Sequence, residues 1–285
     1  MCGISGFWGP WSENLIKTMV ESLRHRGPDG DGYVFDQQGR FALGHTRLSI
    51  IDLSPAAAQP MTSQNDRYIL TFNGEIFNYQ HLRNSLEFRG VKFKTNSDTE
   101  VLLNLFIENG PSCLKQLHGI FAFAIWDKYK KELFLARDHL GVKPLYYANL
   151  PKGFLFASEL KVLTLCSDLP RCIDSVAVSD HVGFLWTAGE ATMLRQVKKL
   201  RPGCTLTINK KGLRIERYYS VPIQETDGPT EKTTPEALSN LIDDVVKEQM
   251  VADVKVGALL SGGVDSSAIV ASMCEAVDPK NITTF

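Results

Sequence analysis

Apolar residues recur along the chain with two different periods. Leu15, Ile16, Met19, Val20 and Leu23 fall at helical spacing, so Glu13 to Leu23 reads as a helix facing a core, with Ser12 placed to cap it. Short runs rich in aromatic and β-branched residues follow at Phe41 to Ile51, Arg67 to Phe72, Ile120 to Trp126, Glu132 to Ala136 and Phe154 to Ala157; these predict strands. Ile120 to Ile125 is almost wholly apolar, the pattern of a strand buried on both faces. After residue 220 the pattern changes. Gln224 to Pro235 is polar, with a glycine and two prolines, and reads as part of an interdomain linker spanning 221–235. Beyond it, Glu236 to Met250 predicts an amphipathic helix and Lys255 to Leu260 a buried strand. Val264 to Ala276 then predicts a second helix, and Ile282 to Phe285 the opening of another strand. A strand, a crossover helix and a second strand make the βαβ unit of a parallel sheet. The pattern therefore divides the chain into a first domain over 1–220, a linker, and the start of an α/β domain over 236–285.

Composition narrows the class. The 285 residues are 44% apolar, enough for a sizeable core, and the net charge is −1. The basic residues are scattered, which argues against a nucleic-acid partner. The cluster Arg195, Lys198, Lys199 and Arg201 reads as a solvated face. No secretory signal and no apolar run of membrane-spanning length is evident, so no membrane partner is expected. The six cysteines show no tight pairing and no C-x-x-C spacing, and a reduced, cytoplasmic protein is expected. The six histidines show no metal-ligand spacing, so no cofactor is expected in the first domain.

The chain opens Met1-Cys2-Gly3-Ile4. Removal of Met1 exposes Cys2 with a free α-amine, a group that titrates near ~7.7–8.0 and can take the thiol proton, so one residue supplies nucleophile and base. Gly3 is expected to let the backbone approach a substrate closely. Taken alone, a cysteine at this position is also readily a chance occurrence. Farther on, Asn73-Gly74 offers a side-chain amide and a backbone N–H that can face one oxyanion, although Asn-Gly between apolar runs is equally a hairpin signal. Arg47 has the planar fork that grips a carboxylate, and Asp98 and Glu75 can accept from an ammonium. Ser97-Asp98-Thr99-Glu100 also has the form of a capping box, so Ser97 can cap a helix while Asp98 points elsewhere. His25 to Gly30 reads as a loop closing near the substrate, with no chemical role assigned to Asp29. Arg137-Asp138 reads as either a salt bridge or a domain contact.

The ordered series His25-Arg26-Gly27-Pro28-Asp29-Gly30, Gly44-His45-Thr46-Arg47-Leu48-Ser49-Ile50, Asn73-Gly74-Glu75-Ile76-Phe77-Asn78, Ser97-Asp98-Thr99-Glu100, Gly119 to Ala124 and Ala136 to Gly141 resembles the N-terminal glutaminase domain of glutamine-dependent asparagine synthetases. Those enzymes are N-terminal-nucleophile hydrolases. The resemblance implies an α+β fold of two stacked antiparallel sheets flanked by helices, followed by the first βαβ unit of a parallel-sheet domain. It implies that Cys2 is the nucleophile and that Asn73 and Gly74 form the oxyanion hole. It assigns Arg47 to the α-carboxylate of glutamine, and Asp98 with Glu75 and Gly74 to the amino end.

Leu260-Ser261-Gly262-Gly263-Val264-Asp265-Ser266 lies where the predicted strand turns into a helix. Paired glycines there expose backbone N–H groups at a helix N-terminus, which suits an anion. No Gly-Lys-Ser/Thr follows, so this is not a Walker A loop. It resembles the pyrophosphate loop of ATP pyrophosphatases, which implies ATP with Mg²⁺. Leu260, Ser261, Gly262, Gly263, Asp265 and Ser266 are then the ATP-binding candidates, and Asp265 the candidate for metal contact, because a carboxylate beside phosphates needs an intervening cation. The implied scheme is glutamine cleavage at Cys2, with the ammonia used in AMP-forming conversion of aspartate to asparagine. Another acceptor carboxylate, such as a uronic acid or a natural-product peptide, is the alternative, the acceptor pocket being expected beyond Phe285. A homodimer stays open. Amidotransferases that form glucosamine 6-phosphate or phosphoribosylamine share the first domain but lack the Ser261–Ser266 loop. A non-catalytic regulatory module is disfavoured by the joint presence of Cys2, Arg47, Asn73 and Asp98.

Overall fold

The computed structural model describes residues 1–222 and 234–285. The chain divides into two compact units, Met1–Ser220 and Val221–Phe285. The linker assigned from sequence lies mostly outside the described residues; of its C-terminal end, Thr234 caps a helix that Pro235 begins.

The first unit is built on two six-stranded sheets, antiparallel throughout. One contains β1 (Gly3–Trp8), β2 (Gly30–Asp36), β3 (Phe41–Arg47), β8 (Tyr146–Leu150), β9 (Gly153–Ala157) and β10 (Lys198–Lys199), in the order β10-β8-β9-β1-β3-β2. The other contains β4 (Met61–Thr62), β5 (Tyr68–Ile76), β6 (Gly119–Asp127), β7 (Glu132–Arg137), β11 (Cys204–Asn209) and β12 (Gly212–Arg217), in the order β12-β11-β7-β6-β5-β4. Alternate residues of both sheets interleave in one core: Ile4, Phe41, Leu43 and Phe156 from the first meet Ile69, Ala124, Trp126 and Leu206 from the second. Trp126 stacks on Phe41 with ring centroids 4.6 Å apart, a contact worth about 0.5–1.5 kcal/mol beyond the area it buries.

Helices cover both outer faces. Against the first sheet lie α1 (Glu13–Glu21) and α4 (Leu160–Leu163), which pack Ile16, Met19, Val20 and Val162 onto Phe7, Ala42 and Leu155. Ser12 occupies the N-cap position of α1, but its hydroxyl makes no capping hydrogen bond. Against the second sheet lie α2 (Tyr79–Phe88) and α3 (Asp98–Asn109), whose Phe106 meets Tyr68 and Phe134. A further helix, α5 (Ser175–Phe184), begins at Asp174, whose carboxylate accepts from the N–H groups of Val176 and Ala177. The stacked antiparallel sheets flanked by helices are the α+β sandwich expected from sequence. The predicted strand over Phe41 to Ile51 is shorter than expected: it ends at Arg47, because residues 48–54 turn away to build one wall of the cavity described below. The basic cluster is a paired surface feature: Glu190 bridges Lys198 and Arg201, and Lys199 donates to Thr187 Oγ1 at 2.9 Å.

In the second unit α6 (Pro235–Gln249) is followed by β13 (Gly257–Ala258), α7 (Val264–Ala276) and β14 (Thr283–Thr284). The two strands pair in parallel, giving the predicted βαβ connection. The strand expected over Lys255 to Leu260 is reduced to two residues and is not buried; Leu259 is 81% exposed. Among the described residues it has one neighbouring strand, so its other edge is unpaired.

Candidate functional site

Pairing of β1 with β3 sets Gly3 opposite Thr46 and so brings Cys2 to the end of β3, beside Arg47 and Leu48. There the Cys2 thiol lies 3.6 Å from Leu48 O, and the Leu48 N–H donates to the sulfur at 3.3 Å. Burial pushes the thiol above its ordinary range, against the lowering effect of that backbone contact. Arg26 fixes the adjoining backbone: its Nε donates to Cys2 O at 2.9 Å and its Nη1 to Glu159 at 3.0 Å. Burial opposes ionisation of Glu159, but hydrogen bonds from Arg26, His25 and Lys161 outweigh it and hold the carboxyl down to about 2. The segment His25 to Gly30 thus braces the nucleophile, and Asp29 pins the opposite loop by accepting from Ser49 N at 2.8 Å. At Gly3 a Cβ would meet Thr46 Oγ1 at 2.6 Å and Leu23 Cβ at 3.0 Å, so its smallness serves the packing of β1.

The Cys2 thiol, Arg47, Asn73, Gly74, Glu75 and Asp98 all line one cavity. Asn73-Gly74 is not a hairpin turn. β5 runs straight through it, with Asn73 opposite Ala122 and Gly74 opposite Phe121 on β6. The Asn73 side chain is 1% exposed, and neither its Oδ1 nor its Nδ2 has a hydrogen-bond partner among the described residues. A buried amide left without partners costs about 1–3 kcal/mol. Gly74 has no room for a side chain: a Cβ would stand 2.3 Å from Ile120 O.

At the other end of the cavity α3 starts. Ser97 caps it, accepting from Thr99 N at 3.0 Å, but the capping box is not closed. Glu100 turns instead to the N–H groups of Lys94 and Thr95, at 3.0 and 2.7 Å. This leaves Asp98 free to face the strand, where it accepts from Ile76 N at 3.1 Å. Burial pushes its carboxyl up to about 6 despite that bond and those from Thr99 and Ser97. Glu75 rises to about 7 through burial and the like charge of Asp98, with Lys143 opposing. Arg47 is held on the far wall by Ser54 O, at 2.9 Å from Nη1, and by Asp52 O on Nη2. Asp52 in turn accepts from Asn96 N at 2.7 Å and from the Ser54 hydroxyl at 2.6 Å, locking the 48–54 loop to the segment before α3.

Three contributors escaped the sequence reading. Gln59 lines the cavity and takes the place of a neighbouring strand for β5, accepting from Phe72 N at 2.7 Å and donating to Thr99 Oγ1 at 3.3 Å. Arg26 stood inside a quoted motif without a role. Lys143 lines the cavity at 9% exposure, and the signal for it was a single cation inside the apolar run Leu140 to Tyr146. Arg137 and Asp138 are joined by no salt bridge and find their hydrogen-bond partners in backbone groups of residues 121–200. Arg137 donates to the carbonyls of Gly141, Lys143 and Leu200 at 2.6, 2.7 and 2.6 Å. Asp138 accepts from the N–H groups of Phe121, Leu140, Val142 and Lys143 at 2.9–3.2 Å.

The second candidate site belongs to the second unit. Gly262 adopts φ +82°, a left-handed conformation that glycine takes without penalty, and Gly263 is the N-cap of α7. Ser261 Oγ lies 3.1 Å from Ser266 Oγ, and the Ser266 hydroxyl donates to Gly263 O, so the loop is tied across its neck. Leu260 continues the ladder from β13 by donating its N–H to Phe285 O at 2.9 Å. Asp265 sits in the first turn of α7, exposed. No group of three or more His, Cys, Asp or Glu side chains among the described residues could enclose a metal ion. A single carboxylate is nonetheless the donor set that suits Mg²⁺ held chiefly by phosphates and water.

The sandwich of antiparallel sheets is the N-terminal-nucleophile hydrolase type of fold, and Cys2, at the head of a central strand, shares one cavity with a buried amide and a pair of carboxylates. Comparison with known proteins narrows this: residues 1–219 match the glutamine amidotransferase domain family and residues 237–285 match asparagine synthase. The chain belongs to the glutamine amidotransferase family. Two curated relatives are asparagine synthetases [glutamine-hydrolyzing] 3 and 1 of Bacillus subtilis, each 39% identical, over 280 and 278 residues. Each alignment covers 95% of this chain, and this chain spans 45% and 43% of those relatives, less than half their length. Among solved structures, glutamine phosphoribosylpyrophosphate amidotransferase from B. subtilis, complexed with ADP and GMP, has a TM-score of 0.58 at 23% identity, covering 100% of this chain and 65% of that one. That likeness is one of fold. No helix among the described residues is long and apolar enough to cross a membrane.

Proposed function

We propose that residues 1–220 hydrolyse glutamine at Cys2 and that the whole protein uses the ammonia in ATP-dependent, AMP-forming conversion of aspartate to asparagine in the cytoplasm. The observation that carries the first half is the unpartnered Asn73 amide lining the same cavity as the Cys2 thiol. Glutamine enters with its α-carboxylate on the Arg47 guanidinium and its α-ammonium between Asp98 and Glu75. Once Met1 has been removed, the α-amine of Cys2 accepts the thiol proton and the sulfur attacks the side-chain amide carbon. The carbonyl oxygen becomes an oxyanion held by Asn73 Nδ2 and the Gly74 N–H. Return of the proton to the amide nitrogen expels ammonia and leaves a γ-glutamyl thioester. Water, deprotonated by the same amine, cleaves the thioester to glutamate and restores the thiol.

For the second half, the support is the match of residues 237–285 to asparagine synthase and the strand–glycine loop–helix geometry of Ser261 to Ser266. The backbone N–H groups of that loop and the α7 N-terminus would receive the phosphates of ATP. Mg²⁺, when bound through Asp265, would neutralise phosphate charge. The test is ammonia release from glutamine by chain freed of Met1, by chain retaining it, and by Cys2→Ala, each identified by intact mass. Release is expected from the first only, and equal release from all three would overturn the reading.

A further inference from the structure

Three cations border the nucleophile's cavity or its rim, and two are committed. Arg26 is taken up by Cys2 O and Glu159, and Arg47 by the carbonyls of Ser54 and Asp52. Lys143 differs: its side chain lines the cavity, is almost fully buried, and its ammonium has no hydrogen-bond or ion-pair partner among the described residues. The residue is held through its backbone: Arg137 grips Lys143 O at 2.7 Å while Asp138 grips Lys143 N at 2.9 Å. Both peptide groups flanking the lysine are thus fixed by charged side chains, the partly buried Arg137 and the buried Asp138, which sets where its side chain leaves the backbone.

We propose that Lys143 is a further functional residue of this site, the counter-charge that favours the thiolate of Cys2, and that the Arg137–Asp138 clamp is what delivers it. The proposal rests on the glutamine-hydrolase reading of the cavity for its purpose, though not for its test. No proton leaves the lysine: the thiol proton goes to the α-amine of Cys2, and the ammonium acts through its charge alone. The charges facing Cys2 and Lys143 are the chain's terminal amine, Arg26, Glu75, Asp98, Asp29 and Asp138. Of these, Asp98 opposes a thiolate, and Lys143 favours it. Burial lowers the Lys143 ammonium, and the charges of Cys2 and Glu75 raise it again, which is the same attraction seen from the other partner.

The test is the pH dependence of Cys2 alkylation by iodoacetamide, followed on the Cys2 peptide by mass spectrometry in the full chain, so that Cys172 and Cys274 do not contribute. Lys143→Met should raise the apparent thiol pKa by about one unit, the shift expected for losing one opposite charge at close range. Alkylation at neutral pH should then slow about three- to fourfold, since greater intrinsic nucleophilicity offsets part of the roughly tenfold loss of thiolate. Lys143→Gln serves as a second neutral variant should the methionine variant fold poorly, and Lys143→Arg should restore the wild-type profile. A neutral variant whose profile superimposes on wild type, or an arginine variant shifted as far as the neutral ones, would overturn the proposal. Glutamine hydrolysis is measured on the same wild-type sample. Hydrolysis with an unshifted alkylation profile removes only the role of Lys143; a shifted profile without hydrolysis removes only the glutaminase reading.

Discussion

In the proposed reaction Asn73 acts through a buried amide that makes no hydrogen bond among the described residues and is therefore available to an oxyanion. Asn73→Ala should therefore lower kcat for glutamine hydrolysis about 10²–10³-fold with a smaller change in KM. The carboxylate pair follows the same logic. Glu75 and Asp98, raised to about 7 and about 6, are charged enough to hold an ammonium only above those values. Glutamine binding to the Cys2→Ala variant should weaken as pH falls from 8 through 6, readable by calorimetry. The stability effect has the opposite sense: both folded-state values lie above the unfolded ones, so the ligand-free protein binds more protons than its unfolded chain and loses stability as pH rises from about 4 through 7. Melting temperature of the ligand-free variant should fall over that window, and glutamine should recover it at pH 8. That Cys2, Arg47, Asn73, Gly74, Glu75 and Asp98 belong together was legible from the ordered motifs that carry the family resemblance, and one cavity gathers them. Lys143 and Gln59 were not, because a lone lysine or glutamine in a sequence carries no sign of what it faces.

At the scale of elements, β5 decides the site. Its sequence allowed two outcomes at Asn73-Gly74, a turn or a continuing strand, and local propensity favours the turn. The strand wins because β6 offers nine consecutive partners, Gly119 to Asp127, with Asn73 opposite Ala122 and Gly74 opposite Phe121. Gly74→Ala should break this: its Cβ would collide with Ile120 O and Phe121 Cα, atoms that cannot move without opening the sheet. A loss of about 1–3 kcal/mol in urea unfolding is expected, with glutamine hydrolysis lost alongside. The helix Val264–Ala276 was read to the residue. The Lys255–Leu260 strand was not, since an apolar run states a preference for burial without stating whether a neighbour is present to satisfy it. Arg137 and Asp138 misled for a related reason: adjacent opposite charges suggest a pair, while their actual partners are backbone groups as far away in sequence as Leu200.

For the whole molecule, the two core clusters described above are built entirely from residues 4–213, so the sandwich has what it needs to fold by itself. A polypeptide of residues 1–220 should unfold in a single cooperative transition and keep glutamine hydrolysis within a few-fold of the longer chain; loss of either property would mean that the second unit is part of the hydrolase. The second unit instead presents exposed apolar side chains at Leu238, Leu241, Leu259 and Val264, and its βαβ connection serves to place a glycine loop at a helix N-terminus. The central claim, that Cys2 is the nucleophile of a glutaminase, has one direct test. Chain freed of Met1 is mixed with glutamine, acid-quenched within the first turnover, digested and examined by mass spectrometry at its N-terminal peptide. The account predicts a γ-glutamyl group on Cys2, more abundant early than at steady state and absent from Asn73→Ala at the same time point. Release of ammonia with no adduct on Cys2, or an adduct on another residue, would contradict it.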